Sequence, residues 1–265
     1  MTGRARSRAR TIGLALGGGA FRGAAHVGVL EVLEREGIEP ALITGTSVGS
    51  VVGAARAAGV TAARMSELVR ELRWRQLLHV SFRRRMSLLD SAPLAEYLEQ
   101  QLGITTFDAL RVPFATVACD ITNGERVVLR SGRVAAAVQA SVAVPGLFPP
   151  VELDGRLLVD GGLVDNLPVE LARELGADFV IAVDLDPPPT GTRRPTNLLE
   201  MLIAARNVRD RASRRATEAA DCLILPDTGD SLGWDPDEMP ELEAKGREAA
   251  EQSIGPLKAA LGLLD

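Results

Sequence analysis

The residues able to do chemistry sit in short glycine-rich segments. Gly45-Thr46-Ser47-Val48-Gly49 is a G-x-S-x-G sequence. It lies between an apolar run, residues 41–44, and a run of small residues reaching about Ala58. A serine on a sharp strand-to-helix turn is a nucleophile elbow. Glycines must flank it, because a Cβ there clashes once the serine is pushed out of the chain path. The helix that follows aims free N–H groups and a positive dipole end at the reacting centre.

A second segment, Gly17-Gly18-Gly19-Ala20-Phe21-Arg22-Gly23, follows the apolar run TIGLAL. Consecutive glycines leave backbone N–H groups unshielded, as an oxyanion hole requires. A dinucleotide fingerprint would need glycine where Arg22 stands and an acidic residue after the second strand, and this chain has neither. A phosphate-binding P-loop would need Gly-Lys-Ser/Thr, also missing here. Arg22 either holds the loop or meets a phosphate.

A triad on an α/β-hydrolase fold runs serine, acid, histidine. Here the histidines are His26 and His79, and none follows. His26 falls within an apolar helical stretch and His79 at a helix end, so both read as core or surface residues. A carboxylate base is then the better expectation. Asp160-Gly161-Gly162 ends the run LLVD, which puts the aspartate at a strand edge, where α/β sheets build their sites. A simple Asp-Gly turn is the plain alternative. Asp120, also at a strand end, is a weaker candidate. Ser50 supports the first helical turn.

These segments need a sheet to hold them. Residues 11–16 predict a buried strand and 23–36 a helix closed by Gly37; 41–44 predict a second strand, then the elbow helix. This βαβ spacing implies a parallel sheet. Amphipathic helices are expected over 61–79 and 91–102, with the basic and apolar stretch SFRRRMSLLD between them as a surface loop. Strands are expected at 113–119 and 126–130, a helix at 133–141, and a hairpin about Asp154-Gly155. A short helix spans 167–175 and the β-branched run 178–185 is a central strand. A polar Pro-rich loop, a long helix over 197–219, a strand at 221–225 and a helix over 238–262 complete the chain. No linker divides it, so the expectation is one domain over 11–265 after a basic, flexible tail at 1–10.

The chain has 265 residues, 46% hydrophobic and 25% charged, with net charge −5 and pI about 5.3. That balance argues against a general nucleic-acid binder. Cys119 and Cys222 have no metal-ligand spacing and read as reduced core residues of a cytoplasm-like compartment. No apolar run reaches the ~18–20 residues of a membrane span. MTGRARSRAR is followed by too short an apolar run for a secretory signal. A weak contact of this tail with the inner membrane surface is the alternative to simple fraying. Neither a metal nor another cofactor is called for.

Taken in order, the glycine loop with Arg22 and Gly23, GTSVGS, and Asp160-Gly161-Gly162 resemble the motifs of the patatin-like phospholipase family. SVAVPGLFPPV, Asn166 and Pro168 also resemble that family's pattern, which covers about residues 11–185. The compact length resembles its small bacterial members. The resemblance implies a three-layer α/β/α fold with a mostly parallel central sheet. It implies a Ser47–Asp160 dyad, an oxyanion hole on the Gly18 and Gly19 amides, and fatty acyl esters of phospholipids, lysophospholipids or neutral lipids as substrates. A carboxylate is a weak base for an alcohol, so such a site should be partly withdrawn from water. Leu88, Leu89, Val144, Leu147 and Phe148 are candidates for an acyl channel. A short-chain esterase or thioesterase, and a lipid-binding protein without activity, are the alternatives. With 3% aromatic residues, any membrane contact should be peripheral.

Overall fold

The computed structural model describes residues 10–71, 79–80, 87, 89–103, 105–186, 219–229, 231 and 235–263. The chain runs β1 (Ile12–Leu16), α1 (Ala24–Arg35), β2 (Leu42–Thr46), α2 (Val48–Ala57), α3 (Ala62–Glu71), β3 (His79–Val80), β4 (Leu89–Asp90), α4 (Ala92–Leu102), β5 (Phe114–Asp120), β6 (Arg126–Leu129), α5 (Val134–Ser141), β7 (Val151–Leu153), β8 (Arg156–Asp160), α6 (Val169–Glu174), β9 (Phe179–Val183), β10 (Cys222–Ile224) and α7 (Met239–Leu261).

The apolar runs pair in parallel in the order β10-β9-β1-β2-β5, and β6, β8 and β7 add antiparallel strands at one side. Leu14 lies beside Ile43 on one edge and Ile181 on the other. The chain therefore leaves β1 in one direction and returns to its far side with β9. That strand reversal puts a crevice at the C-terminal end of β1, where the glycine loop begins.

Alternation along the strands divides the core between two faces. Leu14, Leu16, Ile43 and Ile181 pack with Val29 and Leu30 of α1, Ala54 of α2 and Leu257 of α7. Ala15, Val180 and Ala182 pack on the other face with Val169 and Ala172 of α6. The result is the expected α/β/α layering around a mostly parallel sheet. On the first face α1 and α7 meet backbone to backbone: a Cβ on Gly246 would lie 1.9 Å from the Ala25 carbonyl, and one on Gly28 2.0 Å from that of Glu243.

Most expected elements fall within a residue or two of their observed bounds. The hairpin turns at Asp154 (φ 50°) and Gly155 (φ 73°), both left-handed as a type I′ turn demands. One expectation is corrected. The helix read as 61–79 does not reach His79, which with Val80 pairs antiparallel to β4. That pairing is a tertiary contact invisible to local periodicity. The long helix at 197–219, the loop before it, most of SFRRRMSLLD and residues 1–9 lie outside the described residues.

Candidate active site

The site is assembled on β5. Over Thr116–Cys119 one edge of β5 is taken by β6. The opposite edge is shared end to end: β2 pairs with it as far as Thr46↔Val117, and β8 begins at Asp160↔Ala118. The last residue of β2 and the last of β8 thus meet head to head. Ser47 follows the first, and Asp160 is the second.

Ser47 has φ 54° and ψ −124°, a backbone state that costs a non-glycine residue about 1–3 kcal/mol. The surrounding glycines permit it. A Cβ on Gly45 would sit 2.3 Å from the Gly49 carbonyl, and one on Gly49 2.2 Å from the Leu16 carbonyl. One on Gly23 would strike Val48 at 2.1 Å. The elbow, the β1 end and the glycine loop are therefore in backbone contact. Ser50, as expected, closes the first turn, its hydroxyl donating to the Ser47 carbonyl at 2.5 Å.

Ser47 Oγ donates to Asp160 Oδ2 at 2.7 Å. Both residues are buried, 4% and 1% exposed, which meets the expectation of a site withdrawn from water. Asp160 Oδ1 accepts the Gly162 N–H at 2.8 Å, and the Asp160 N–H donates to the Ala143 carbonyl at 2.9 Å. The residue is held at its backbone and at one carboxylate oxygen, with the other oxygen turned to the serine. Gly161 makes this possible: its Cβ would meet the Val117 carbonyl at 2.2 Å.

In the glycine loop, Gly17 N–H donates to the Val183 carbonyl and Gly18 N–H to the Asn166 carbonyl, each at 3.0 Å. These bonds narrow the expected anion-binding donors. Two of the three glycine amides hold the loop in place, and Gly19 N–H is left without a backbone acceptor among the described residues. Arg22 is buried and holds the loop: Nε donates to the Gly19 carbonyl at 3.2 Å and an η nitrogen to Asp186 Oδ1 at 2.7 Å. Asp186 Oδ2 accepts the Asn166 side-chain amide at 3.0 Å. One carboxylate thereby ties the arginine of one loop wall to the asparagine of the other.

His26 is fully buried and bonds the Gly17 carbonyl through Nε2 at 2.8 Å. A carbonyl only accepts, so Nε2 carries the proton and Nδ1 is a bare acceptor with no partner among the described residues. Burial lowers its pKa to about 4, against the opposing pull of the Gly17 bond. His26 therefore supports the loop as a neutral core residue. Asp120 caps its own turn, accepting from the Thr122 amide and hydroxyl, and these bonds lower its pKa. Asp165 lies behind the site, its carboxyl pushed up by burial and pulled back by Arg126. Among the described residues no cluster of His, Cys, Asp or Glu is arranged to hold a metal ion. Nor is any described helix long and apolar enough to cross a membrane.

Leu147 is buried, and Leu89, Val144 and Phe148 are half-buried. The Leu89 N–H bonds the Leu147 carbonyl at 2.8 Å, so β4 lies against the segment that carries Val144, Leu147 and Phe148 and that begins just after Ala143, the acceptor of the Asp160 N–H. Leu88 is outside the described residues. Three contributors escaped the sequence reading. Ser141 accepts the Ser47 N–H at 2.9 Å, and Thr116 bonds Ser141 in turn. Their signals were faint: a serine ending an alanine-rich helix and a threonine in a strand. Asp186 follows a central parallel strand at its C-terminal end, and that position was a usable signal.

The family model for patatin-like phospholipase matches residues 14–173. An NTE family protein of Mycobacterium tuberculosis is 35% identical over 188 residues, 69% of this chain and 51% of that protein. The human patatin-like phospholipase domain-containing protein 6 is 34% identical over 184 residues, 66% of this chain and 13% of its own length. Lysophospholipase NTE1 of Scheffersomyces stipitis is 34% identical over 190 residues, 66% of this chain and 12% of that protein. Among solved structures, VipD from Legionella pneumophila superposes with TM-score 0.64 at 15% identity, over 94% of this chain and 67% of that one. ExoU from Pseudomonas aeruginosa gives TM-score 0.52 at 16% identity, over 93% and 53%. These two share the fold. The chain belongs to the patatin-like phospholipase family. It spans about half the length of its mycobacterial relatives.

Proposed function

We propose that this protein is a serine acyl hydrolase acting on fatty acyl esters of phospholipids or lysophospholipids, with Ser47 as nucleophile and Asp160 as base. The observation that carries the reading is the 2.7 Å hydrogen bond from Ser47 Oγ to Asp160 Oδ2 in a buried site. The lipid class is suggested by relatives named patatin-like phospholipase and lysophospholipase.

Ser47 Oγ attacks the ester carbonyl carbon as Asp160 accepts its proton. The carbonyl oxygen, now an anion, is met by the Gly19 N–H and the positive end of α2. A loop donor of this kind is worth on the order of 3 kcal/mol. Collapse returns the proton to the leaving alcohol and leaves an acyl-serine. Water then attacks the acyl carbon as Asp160 takes its proton, the bond to Ser47 Oγ breaks, Asp160 returns the proton to that oxygen, and the fatty acid departs. The acyl chain lies along Leu89, Val144, Leu147 and Phe148. Contact with a lipid surface is peripheral.

Hydrolysis of p-nitrophenyl esters of rising chain length, followed by lysophospholipid and phospholipid, tests the reading in wild type, Ser47→Ala and Asp160→Asn. Turnover by the wild type alone, with an optimum at long chains, supports it. A short-chain optimum moves the substrate class to simple esters. Equal activity in all three removes the dyad.

A further inference from the structure

We infer that Ser141, seconded by Thr116, is a positioning residue that holds Ser47 in its strained backbone state and aligns it with Asp160. This role rests on the Ser47–Asp160 reading above. Ser141 and Thr116 are fully buried. Ser141 Oγ accepts the Ser47 N–H at 2.9 Å. Thr116 Oγ1 lies 2.9 Å from Ser141 Oγ and 2.8 Å from the Gly45 carbonyl.

The protons in this chain have one consistent arrangement. The Gly45 carbonyl can only accept, so the Thr116 hydroxyl spends its proton there. Thr116 Oγ1 must then accept from Ser141, and Ser141 Oγ accepts from the Ser47 amide. The line of donors runs from Ser47 N–H through both hydroxyls to Gly45 O and closes around the elbow. It also commits the Ser47 amide, so that amide is not an anion donor.

Ser141 ends α5, and two residues later the Ala143 carbonyl takes the Asp160 N–H at 2.9 Å. One short stretch of chain therefore grips the backbone of both the nucleophile and its base. Without the Ser141 hydroxyl, the buried Ser47 amide loses its acceptor, and with it a direct restraint against relaxation from φ 54°. A displacement of about 1 Å between reacting groups can lower turnover on the order of 100-fold.

The test compares Ser141→Ala, Thr116→Val and Thr116→Ser with wild type and Ser47→Ala, each checked by circular dichroism and thermal melting. The readouts are kcat and KM on a long-chain p-nitrophenyl ester, and the rate of labelling of Ser47 by a fluorophosphonate. Ser141→Ala is expected to lose about 10- to 100-fold in kcat and in labelling rate with KM nearly constant. Thr116→Val should follow in the same direction, and Thr116→Ser, which keeps the hydroxyl, should stay near wild type. If Ser141→Ala does not fold, the contrast of Thr116→Val with Thr116→Ser decides. Folded Ser141→Ala or Thr116→Val with wild-type kcat and labelling overturns the inference while Ser47→Ala is dead. An active Ser47→Ala overturns the dyad itself.

Discussion

Thr46 and Asp160 are paired to consecutive residues of one strand, Val117 and Ala118, on the same edge of β5. Parallel β2 and antiparallel β8 run at each other along that edge and stop where they meet. The chain of β2 escapes through the Ser47 elbow, and that of β8 through Gly161. Ser47 and Asp160 come from segments more than a hundred residues apart, and their separation is fixed by the rise of one strand.

Asp160→Asn keeps the shape of the side chain and removes its capacity to take the serine proton. Loss of a general base typically costs 10²–10⁴-fold, and a fall of at least about 100-fold in kcat is expected. Fluorophosphonate labelling of Ser47 should slow in parallel. Undiminished labelling would assign the base elsewhere.

Gly161→Ala forces a Cβ to within 2.2 Å of the Val117 carbonyl and 3.1 Å of Thr46 Cγ2. Backbone cannot yield as a side chain does, so a loss of about 1–3 kcal/mol is expected, together with activity. Gly255→Ala is the counterpart. It lies in α7 with nothing within 4 Å beyond its chain neighbours, and because Pro256 follows it, the gain in helix propensity is offset by crowding of the new Cβ against the proline ring, so little net change is expected. Urea denaturation of both variants gives the comparison, and equal stabilities would contradict the packing described.

His26 gives the protein a pH-dependent stability. Its pKa is lowered from 6.5 to about 4 in the fold, so the unfolded chain binds a proton that the native state refuses. Stability from this group is complete above pH 6.5 and is lost as pH falls toward 4. The full loss is on the order of 3 kcal/mol. His26→Gln keeps a donor for the Gly17 carbonyl and cannot titrate. Denaturation curves between pH 7.5 and about 4.5 should fall less steeply for this variant. Identical slopes would show that His26 is not the group responsible.

Arg22 and Asp186 act on the loop as a unit, through the 2.7 Å ion pair. Arg22→Lys cannot reach the Gly19 carbonyl and Asp186 together, and Asp186→Ala releases both Arg22 and Asn166. Each is expected to lower kcat about 10-fold or more. The double variant should be little worse than either single one, since residues sharing one network are not additive. Strictly additive losses would mean that the two residues serve the site separately.

The sequence by itself determined the local pieces. G-x-S-x-G needs its glycines because the elbow brings Gly45 against Gly49 and Gly49 against Leu16. Asp-Gly at 154–155 dictates a type I′ hairpin. The apolar runs dictate a buried parallel sheet, because strands covered on both faces have no room for alternation. Asp160 could be named from its place at the end of such a run.

What only the tertiary structure decided was who faces whom. That β8 continues the line of β2 along β5 depends on pairing between distant strands, and no local pattern encodes it. The assignment of Gly17 and Gly18 amides to Val183 and Asn166 depends on the return of β9 beside β1. Ser141 and Thr116 look in sequence like a helix end and a strand former. Their contact with the elbow comes from burial beside it, where each hydroxyl is shielded from bulk solvent and must find a partner within the protein.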